Sequence, residues 1–460
     1  MTCVTTTRRG ARRALLATAV LALTAPASAP AMTLTEAVEA AVQHDPAVRA
    51  SIAQAEAERE AGAQDIGSRL PQLQVSGSGA YQRTDSDGVF GTTSDTYTAW
   101  GAQIEARQAL FRLDWTARGD RAEAYEALAD EGLRERSQAL LVRVASRFFT
   151  VLDAEDAVRQ RRNEARAVEA AYKDAQDRYE VELIPRTDLV EAQSRHDLAQ
   201  AQLLTAERAL ENALDALEET TGRRPEQLPQ LGDTLQFPEL EPESLTAWVE
   251  AAEARNPALA QARAELSVTR ADVRSSKAAR MPELDLVARA GIDDSSDFVF
   301  GQRVEDESIG IELVMPLYNG GTLAAREREA AARLRAAEAE VARLEGETRR
   351  LVSERYRAVS SARTEVRAFA RALESARAAE QATRNGYEAG TRTITDVLDA
   401  TSRVAQARRD LNSTRYQLLN SVLALKQSVG EIDRGDFRQI DALLRHSEPA
   451  AATDAPKDPS

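Results

Sequence analysis

The stretch GYEAGTRTITDVLDA, residues 386–400, decides the organisation of the chain because it occurs twice. Its counterpart RYEVELIPRTDLVEA lies 208 residues earlier, at 178–192. An earlier part of each copy matches too, since RLPQLQVSG at 69–77 is similar to RMPELDLVA at 280–288, at a spacing of 211 residues. The two spacings differ by three residues, so one small length change separates two otherwise parallel copies. A repeat of this length predicts two structural halves with the same internal order.

Four segments of about ten residues alternate between apolar and polar side chains. In QLQVSGSGAYQ (72–82), Leu73, Val75 and Tyr81 fall on one face, because successive side chains of a strand point to opposite faces. This pattern is typical of strands in a transmembrane β-barrel, although four amphipathic strands of a soluble sheet would show it too. The predicted strands cover about 72–83, 96–110, 282–292 and 307–318.

Long helices are predicted for most of the rest of each half. Alanine, arginine, glutamate and leucine dominate these stretches and only 5% of residues are aromatic, a composition typical of long helices or coiled coils. An apolar or aromatic residue recurs every seven positions, which predicts left-handed, coiled-coil-like packing. The stripe of the first half is Val144, Val151, Val158, Ala165, Tyr172 and Tyr179, and that of the second is Val352, Val359, Val366, Leu373 and Tyr387, interrupted by Glu380.

The predicted boundaries follow from these patterns, with one long helix beside two stacked shorter ones in each half. The first repeat, 32–221, contains a helix at about 36–68, a long helix at 118–180 and a helix at 187–221. The second repeat, 244–430, contains a helix at about 244–279, a long helix at 321–387 and a helix at 393–429. Residues 222–243 link the repeats, and 431–460 form a C-terminal segment and a tail expected to be disordered.

The first 31 residues are predicted to be a signal peptide. Four arginines between residues 8 and 13 precede a short apolar run, and small residues then offer a cleavage site, which we place after Ala31. The only cysteine, Cys3, lies upstream of the apolar run, so the exported chain would have no thiol and no disulfide. After this segment there is no apolar run long enough for a transmembrane helix, so a membrane role would depend on the strands.

Several function classes fit the composition poorly. The net charge of −15 disfavours nucleic acid as a partner. The three histidines, His44, His196 and His446, show no metal-ligand spacing. The chain also has no glycine-rich phosphate loop and no GxSxG motif. We therefore expect no enzymatic activity, no cofactor and no metal.

Four strands are too few to close a barrel of useful size, and an open sheet edge is not tolerated in lipid. A membrane barrel would therefore be assembled from several chains. The sequence by itself permits two, three or four copies.

At this point the chain resembles the TolC family of outer-membrane channel proteins. The resemblance covers about residues 33–430 and is carried by the duplication, by LPQL and MPEL before the strands, by MPLYNGG after the fourth strand, and by YEAGTRTITDVLDA. It implies a mainly α fold with a transmembrane β-barrel portion. In a homotrimer, twelve strands would form one outer-membrane barrel, and the helices would form a long hollow α-barrel across the periplasm of a Gram-negative cell.

The resemblance also implies a gate at the periplasmic tips of the helices. Asp396 and Asp399 match the aspartates of an acidic ring, to which three chains would contribute six carboxylates. Such a ring selects cations and is blocked by multivalent ones. Tyr387 and Arg392 match residues that latch the hairpin to its neighbour, with Asp188 as partner and Thr187 beside it. From spacing alone, aspartates in the first turn of a helix are better explained as caps, and the gate interpretation comes from the resemblance; the two roles are compatible.

The function implied by the resemblance is an exit duct for an inner-membrane pump of RND or ABC type, coupled by a periplasmic adaptor protein. The substrates would be toxic small compounds or proteins, and the sequence does not separate drug efflux from type I secretion. A periplasmic coiled-coil rod or adaptor without a pore is the alternative, but it would not need four barrel strands. A passive porin would have many strands and few helices, the reverse of this chain.

Overall fold

A computed structural model describes residues 31–88, 91–229, 231, 241–296 and 303–445. Its fold is mainly α with four antiparallel strands, which confirms the predicted fold class. The first half contains α1 (Leu34–His44), α2 (Pro46–Gly67), β1 (Gln72–Gly88), β2 (Gly91–Phe111), α3 (Trp115–Glu180) and α4 (Arg186–Thr221). The second contains α5 (Leu245–Arg255), α6 (Pro257–Ala278), β3 (Glu283–Ser295), β4 (Arg303–Val314), α7 (Thr322–Glu388) and α8 (Ile394–Val429), followed by α9 (Arg434–Arg445).

The helices pack as columns, as their lengths predict. The long helix α3 lies against α2 and α4, and α7 lies against α6 and α8, while α3 also contacts α6 and α8 of the other half. The sevenfold stripe forms the seam of these contacts, with Val144, Val151, Val352 and Val359 completely buried. Within the described ranges, no helix is long and apolar enough to cross a membrane.

The first helix predicted in each half is two helices in the structure, α1–α2 and α5–α6, so the predicted continuous spans 36–68 and 244–279 are wrong. Each break falls at an Asp-Pro or Asn-Pro pair, because a proline lacks the N–H that would continue the upstream helix and fits the first turn of a new one. Asp45 caps α2 by accepting the Ala47 N–H at 2.8 Å. Asn256 caps α6 by accepting the Leu259 N–H at 3.0 Å.

The strands form one sheet in the order β1-β2-β3-β4, with every neighbouring pair antiparallel. The first hairpin is longer than predicted, because β1 and β2 pair from Gln72 to Gly88. The fourth strand ends at Val314 rather than at about residue 318, since Pro316 has no N–H to continue a ladder. An irregularity in the β2–β3 register between Ala109 and Phe111 marks the end of the sheet beside α3.

The end of the described chain is integral to the core rather than a loose appendage. Phe437 and Leu444 of α9 are almost fully buried and belong to the same apolar cluster as Leu34 of α1. Asp441 holds the start of α1, since its carboxylate accepts the Leu34 N–H at 2.8 Å. The predicted C-terminal segment therefore contains an ordered helix. The predicted disordered tail after 445 and the signal peptide before Ala31 lie outside the described residues.

Candidate functional site

The turn between α7 and α8 is shaped by one glycine and one helix cap. Gly390 has a left-handed φ of 73° and its N–H donates to the Tyr387 carbonyl at 2.9 Å. Thr393 caps α8, because its hydroxyl oxygen accepts the Asp396 N–H at 3.2 Å while an Asp396 carboxylate oxygen accepts the Thr393 N–H at 3.0 Å. This reciprocal capping box fixes the direction in which α8 leaves the turn.

The two aspartates of this stretch have different surroundings. Hydrogen bonds from the Thr393 backbone and side chain hold the pKa of the Asp396 carboxyl below its usual value, so it is ionised at neutral pH. Asp399 forms an ion pair across to α4, with its carboxylate 2.5 Å from Arg195 Nη1. Among the described residues no such cation pairs with Asp396, so Asp396 is a helix cap whose negative charge is not neutralised by direct contact.

A bonded cluster joins the ends of α7 and α3. The Tyr387 hydroxyl donates to Asp174 Oδ2 at 2.6 Å, and the Arg178 guanidinium lies over the Tyr387 ring at 4.9 Å from its centroid. Arg178 Nε is also 2.9 Å from Asp174 Oδ2, so three side chains close a triangle. Burial and the Asp174 carboxylate raise the pKa of Tyr387 to about 12, which keeps its hydroxyl protonated as the donor.

Within the single chain, Tyr387 pairs with a residue that the sequence did not single out, and its predicted pairing with Asp188 of a neighbouring hairpin stays a prediction. Within one chain its partner is Asp174, and Asp188 instead accepts a long bond from the adjacent Thr187 hydroxyl at 3.3 Å. Arg392 is exposed, and its backbone N–H donates to the Gly386 carbonyl at 3.2 Å. The structure thus gathers Tyr387 and Asp174 at one contact but brings neither Asp188 nor Thr187 to Tyr387.

Sequence analysis missed Asp174, Arg178 and Arg195. The sequence did contain a pattern that could have indicated Asp174 and Arg178. Tyr179 and Tyr387 occupy equivalent positions in the two halves, so the ends of α3 and α7 are expected to lie at the same level along the bundle axis. A polar residue of α3 near that height was therefore a candidate partner for the Tyr387 hydroxyl. Arg195 had no such signal, since its contact with Asp399 depends on how α4 packs beside α8.

The four-stranded sheet has one apolar and one charged face. Cross-strand register puts Leu73 opposite Ala106 and Ile309 opposite Ala288, so these residues share a face. The apolar side chains on it are strongly exposed in the single chain, with Val75 at 74% and Ile309 at 75%. Exposed apolar surface on this scale indicates contact with lipid or with another chain.

The other face of the sheet carries a network of ion pairs. Arg107 contacts Asp285 at 3.1 Å and Glu312 at 3.3 Å, which links β2 to β3 and β4. Arg289 contacts Glu105 at 2.8 Å across the β2–β3 pair. Glu105 and Arg289 are direct cross-strand partners and Asp285 is diagonal to Arg107, and opposite charges at such positions support strand pairing. This polar face therefore suits a water-filled interior, where charged groups remain hydrated.

A second group of carboxylates lies far from the tip, on α3. Asp156 accepts hydrogen bonds from Tyr416 and Asn412 of α8, both at 3.0 Å. Burial raises the pKa of the nearby Glu155 to about 7, with a smaller contribution from the Asp156 charge, although Arg159 acts in the opposite direction. Because Tyr416 and Asn412 satisfy the Asp156 carboxylate, we assign Asp156 a structural role, whereas Glu155 lines a pocket open to solvent together with Arg159 and Arg162.

Glu155 is expected to make the stability of the protein depend on pH. Its pKa is raised from 4.5 when unfolded to about 7 when folded. Its stabilising contribution is therefore complete below pH 4.5 and is lost as the pH rises through 7. Glu155→Gln should stabilise the protein at pH 8 by about 2 kcal/mol and flatten the pH dependence of the unfolding midpoint between pH 5 and 8. Glu169→Gln on the same helix is the control, because Lys173 lowers the pKa of Glu169, and an equal flattening there would contradict the assignment.

The sequence matches the family described as "Outer membrane efflux protein" over residues 37–223 and 248–431, one match for each half. The chain belongs to this family. The "Alkaline protease secretion protein AprF" of Pseudomonas aeruginosa is 32% identical over 444 residues, which cover 93% of this chain and 91% of that protein. The "Outer membrane protein TolC" of Vibrio cholerae is 31% identical over 418 residues, which cover 90% of this chain and 94% of that protein.

Solved structures agree with this assignment at the level of the fold. The CmeC outer membrane channel of Campylobacter jejuni superposes with a TM-score of 0.74 at 15% identity and covers 90% of each chain. The resemblance to the TolC family is thereby confirmed, and the protein is an outer-membrane channel that extends into the periplasm. Members of the outer membrane efflux protein family are transport channels.

Proposed function

We propose that three copies of this chain form the outer-membrane exit duct of a type I secretion system and pass proteins from an ABC-type pump to the exterior. The similarity to AprF carries this proposal, because 32% identity extends over nearly the whole of both chains and AprF is named as a protease secretion protein. A periplasmic adaptor protein would connect the pump to the helical end of the duct.

The sheet supports assembly from several chains. Its order leaves β1 and β4 as edges, and unpaired backbone groups at an edge are not tolerated in lipid. Pairing β1 of one copy with β4 of the next removes both edges, and three copies give a closed barrel of twelve strands. The apolar face with Val75 and Ile309 would then contact lipid, and the face with Arg107 and Arg289 would line the interior.

The tips of the helices are proposed as the gate of this duct. Asp396 and Asp399 of three chains would form an acidic ring at the narrowest point, and Tyr387 would hold α7 against α3 through Asp174. Arg392, Thr187 and Asp188 have no strong side-chain bond to another part of their own chain among the described contacts, which leaves them available to latch neighbouring copies. Opening of the channel would break these contacts.

Small-molecule efflux is the second candidate, favoured by the description of the family. The two candidates are distinguished by expressing the protein in two bacterial strains that lack their own exit duct. One strain carries the ABC pump, adaptor and protein substrate of a type I system, and the other an RND pump and its adaptor. We expect secreted substrate in the medium of the first strain. Restored drug resistance without secretion would favour efflux, and failure in both strains together with a monomeric purified protein would contradict the duct.

A further inference from the structure

The two edge strands of the sheet each carry one positive and one negative side chain, two residues apart. On β1, Arg83 Nε lies 3.6 Å from Asp85 Oδ1. On β4, Arg303 Nη2 lies 3.0 Å from Glu305 Oε1. All four side chains are more than half exposed in the single chain, so groups of another chain can reach them.

These charges lie on the apolar face of the sheet. Side chains alternate along a strand, so the odd-numbered residues of β1 share the face of Leu73. Cross-strand pairing continues this face from Leu73 to Ala106 of β2. It then runs through Ala288 of β3 to Ile309 of β4, so the odd-numbered residues of β4 share it too. Charges on a lipid-facing surface are costly, and the open sides of β1 and β4 are where a partner strand would lie.

The strand lengths restrict how β4 of one copy can pair with β1 of the next. All 12 residues of β4 find partners among the 17 residues of β1 in only a few antiparallel registers. A slip by one residue would turn the apolar side chains of β4 to the opposite face, so only every second register is allowed. Three remain, with Ile309 opposite Gly77, Gly79 or Tyr81, and we call them registers 77, 79 and 81.

The charges distinguish these three registers, because like charges directly opposite each other destabilise a strand pair. In register 77, Arg303 would lie opposite Arg83. In register 81, Glu307 would lie opposite Arg83, but Glu305 would lie opposite Asp85. In register 79, Arg303 lies opposite Asp85. In the same register Glu305 lies opposite Arg83, so both contacts join opposite charges and no like charges meet.

The tilt of the strands also disfavours register 81. Successive cross-strand pairs connect Ile309 to Leu73 of its own copy, whereas in register 79 it lies opposite Gly79 of the next copy, a shift of six residues. With about 3.3 Å per residue and about 4.8 Å between strands, a barrel of three copies would have strands tilted by about 45°, as membrane barrels do. Register 81 would require a tilt of about 54°.

We propose that the copies join in register 79, in which Arg83 and Asp85 of one copy form ion pairs with Glu305 and Arg303 of the next. The order of charges along β1 is complementary to that along β4, so the edges fit each other in one alignment. These pairs close the barrel at the end of the sheet away from the helices. The inference rests on the proposed duct of several copies and specifies how its barrel is joined.

Disulfide cross-linking tests the register, because the only cysteine, Cys3, lies in the predicted signal peptide. Three double variants combine Ile309→Cys with Gly77→Cys, Gly79→Cys or Tyr81→Cys. Oxidation of the purified, detergent-solubilised protein should link more than about half of the chains of the Gly79→Cys variant and fewer than about a tenth in the other two. A disulfide needs Cβ atoms about 4 Å apart, and a shift of two residues moves them to about 7 Å.

The outcomes separate the register from the duct. Preferential cross-linking of the Gly77→Cys or Tyr81→Cys variant, or no cross-link in a protein that is still trimeric, overturns register 79 and leaves the duct intact. A monomeric protein without any cross-link overturns both.

An exchange of charges tests the ion pairs themselves. Arg83→Glu brings like charges together between copies and should lower the temperature at which the trimer dissociates in detergent by about 5 °C. Adding Glu305→Arg restores opposite charges and should recover about half of this loss or more. An unchanged dissociation temperature in Arg83→Glu, or no recovery in the double variant, overturns the proposed pairing.

Discussion

Replacing Asp396 and Asp399 by asparagine is expected to weaken block of the channel by a trivalent cation about 100-fold. In the proposed trimer, the substitutions would remove six carboxylates from the ring that we propose at the narrowest point, and a trivalent ion would interact with several of them at once. The measurement is single-channel conductance in planar bilayers with a hexaammine complex of a trivalent metal added on the periplasmic side. Cation selectivity should fall together with the block.

Asparagine is the informative substitution because Asp396 is also a helix cap. Its carboxylate accepts the Thr393 N–H at 3.0 Å, and an asparagine carbonyl oxygen can accept the same bond. The charge is thus removed while the turn is kept. Asp410→Asn is the matched control, since Asp410 lies on the same helix, bonded to Gln406, about 16 Å above Asp399. Block as strong as in the wild type in the double variant would leave both aspartates with structural roles only.

Asp396→Asn and Asp399→Asn, made separately, are expected to weaken the cation block to different extents. Arg195, which also pairs with Glu191, lies 2.5 Å from Asp399 and offsets part of the Asp399 charge, whereas Asp396 has no cation in contact among the described residues. Asp396→Asn alone should therefore account for most of the lost block. Arg195→Gln, which frees the Asp399 charge, should strengthen block instead. The opposite order of the two aspartates would place Asp399 rather than Asp396 at the narrowest point.

The sequence was sufficient where local patterns determine structure. Alternation of residues such as Leu73 and Val75 predicted the sheet, and the sevenfold stripe through Val144 and Val352 predicted the packed seam. The helix breaks at Pro46 and Pro257 could also have been predicted locally, because an aspartate or asparagine precedes each proline. The apolar periodicity continues across both breaks and led to the prediction of one continuous helix. In these places propensity, capping and periodicity operate within a few residues.

Other features depended on contacts between distant parts of the chain. Asp441 binds the start of α1 some 400 residues away, and the bond between Tyr387 and Asp174 within the chain depends on the register between α7 and α3. The spacing of residues along one helix does not determine how that helix is shifted along its axis relative to a neighbouring helix. For the same reason the ion pair of Arg195 with Asp399 was not predicted, although both residues lie on predicted helices.

Breaking the Tyr387–Asp174 bond is expected to raise the open probability of the channel about tenfold. Tyr387→Phe removes the hydroxyl that donates to Asp174 at 2.6 Å and leaves the ring beneath Arg178. Bilayer conductance should rise in this variant and in Asp174→Ala, and the double variant should add little, because both changes remove the same bond between α7 and α3, while the Arg178–Asp174 pair that Asp174→Ala also removes lies within α3. Tyr179→Phe, at the equivalent position of the first half, is the control.

The same recordings distinguish two possible partners of Tyr387 in the closed channel: Asp174, its partner within one chain, and Asp188, the partner predicted from the sequence. If Asp188 rather than Asp174 holds Tyr387 in the closed channel, Asp188→Ala opens it and Asp174→Ala does not. The single-chain geometry favours Asp174, because its carboxylate contacts the Tyr387 hydroxyl at 2.6 Å and Arg178 Nε at 2.9 Å, while the one side-chain bond of Asp188 among the described residues is with Thr187. Adding Arg195→Gln to Tyr387→Phe should open the channel further, since it releases α8 from α4 as well as α7 from α3. Additive effects of these two changes would show that the tip is held at two independent contacts.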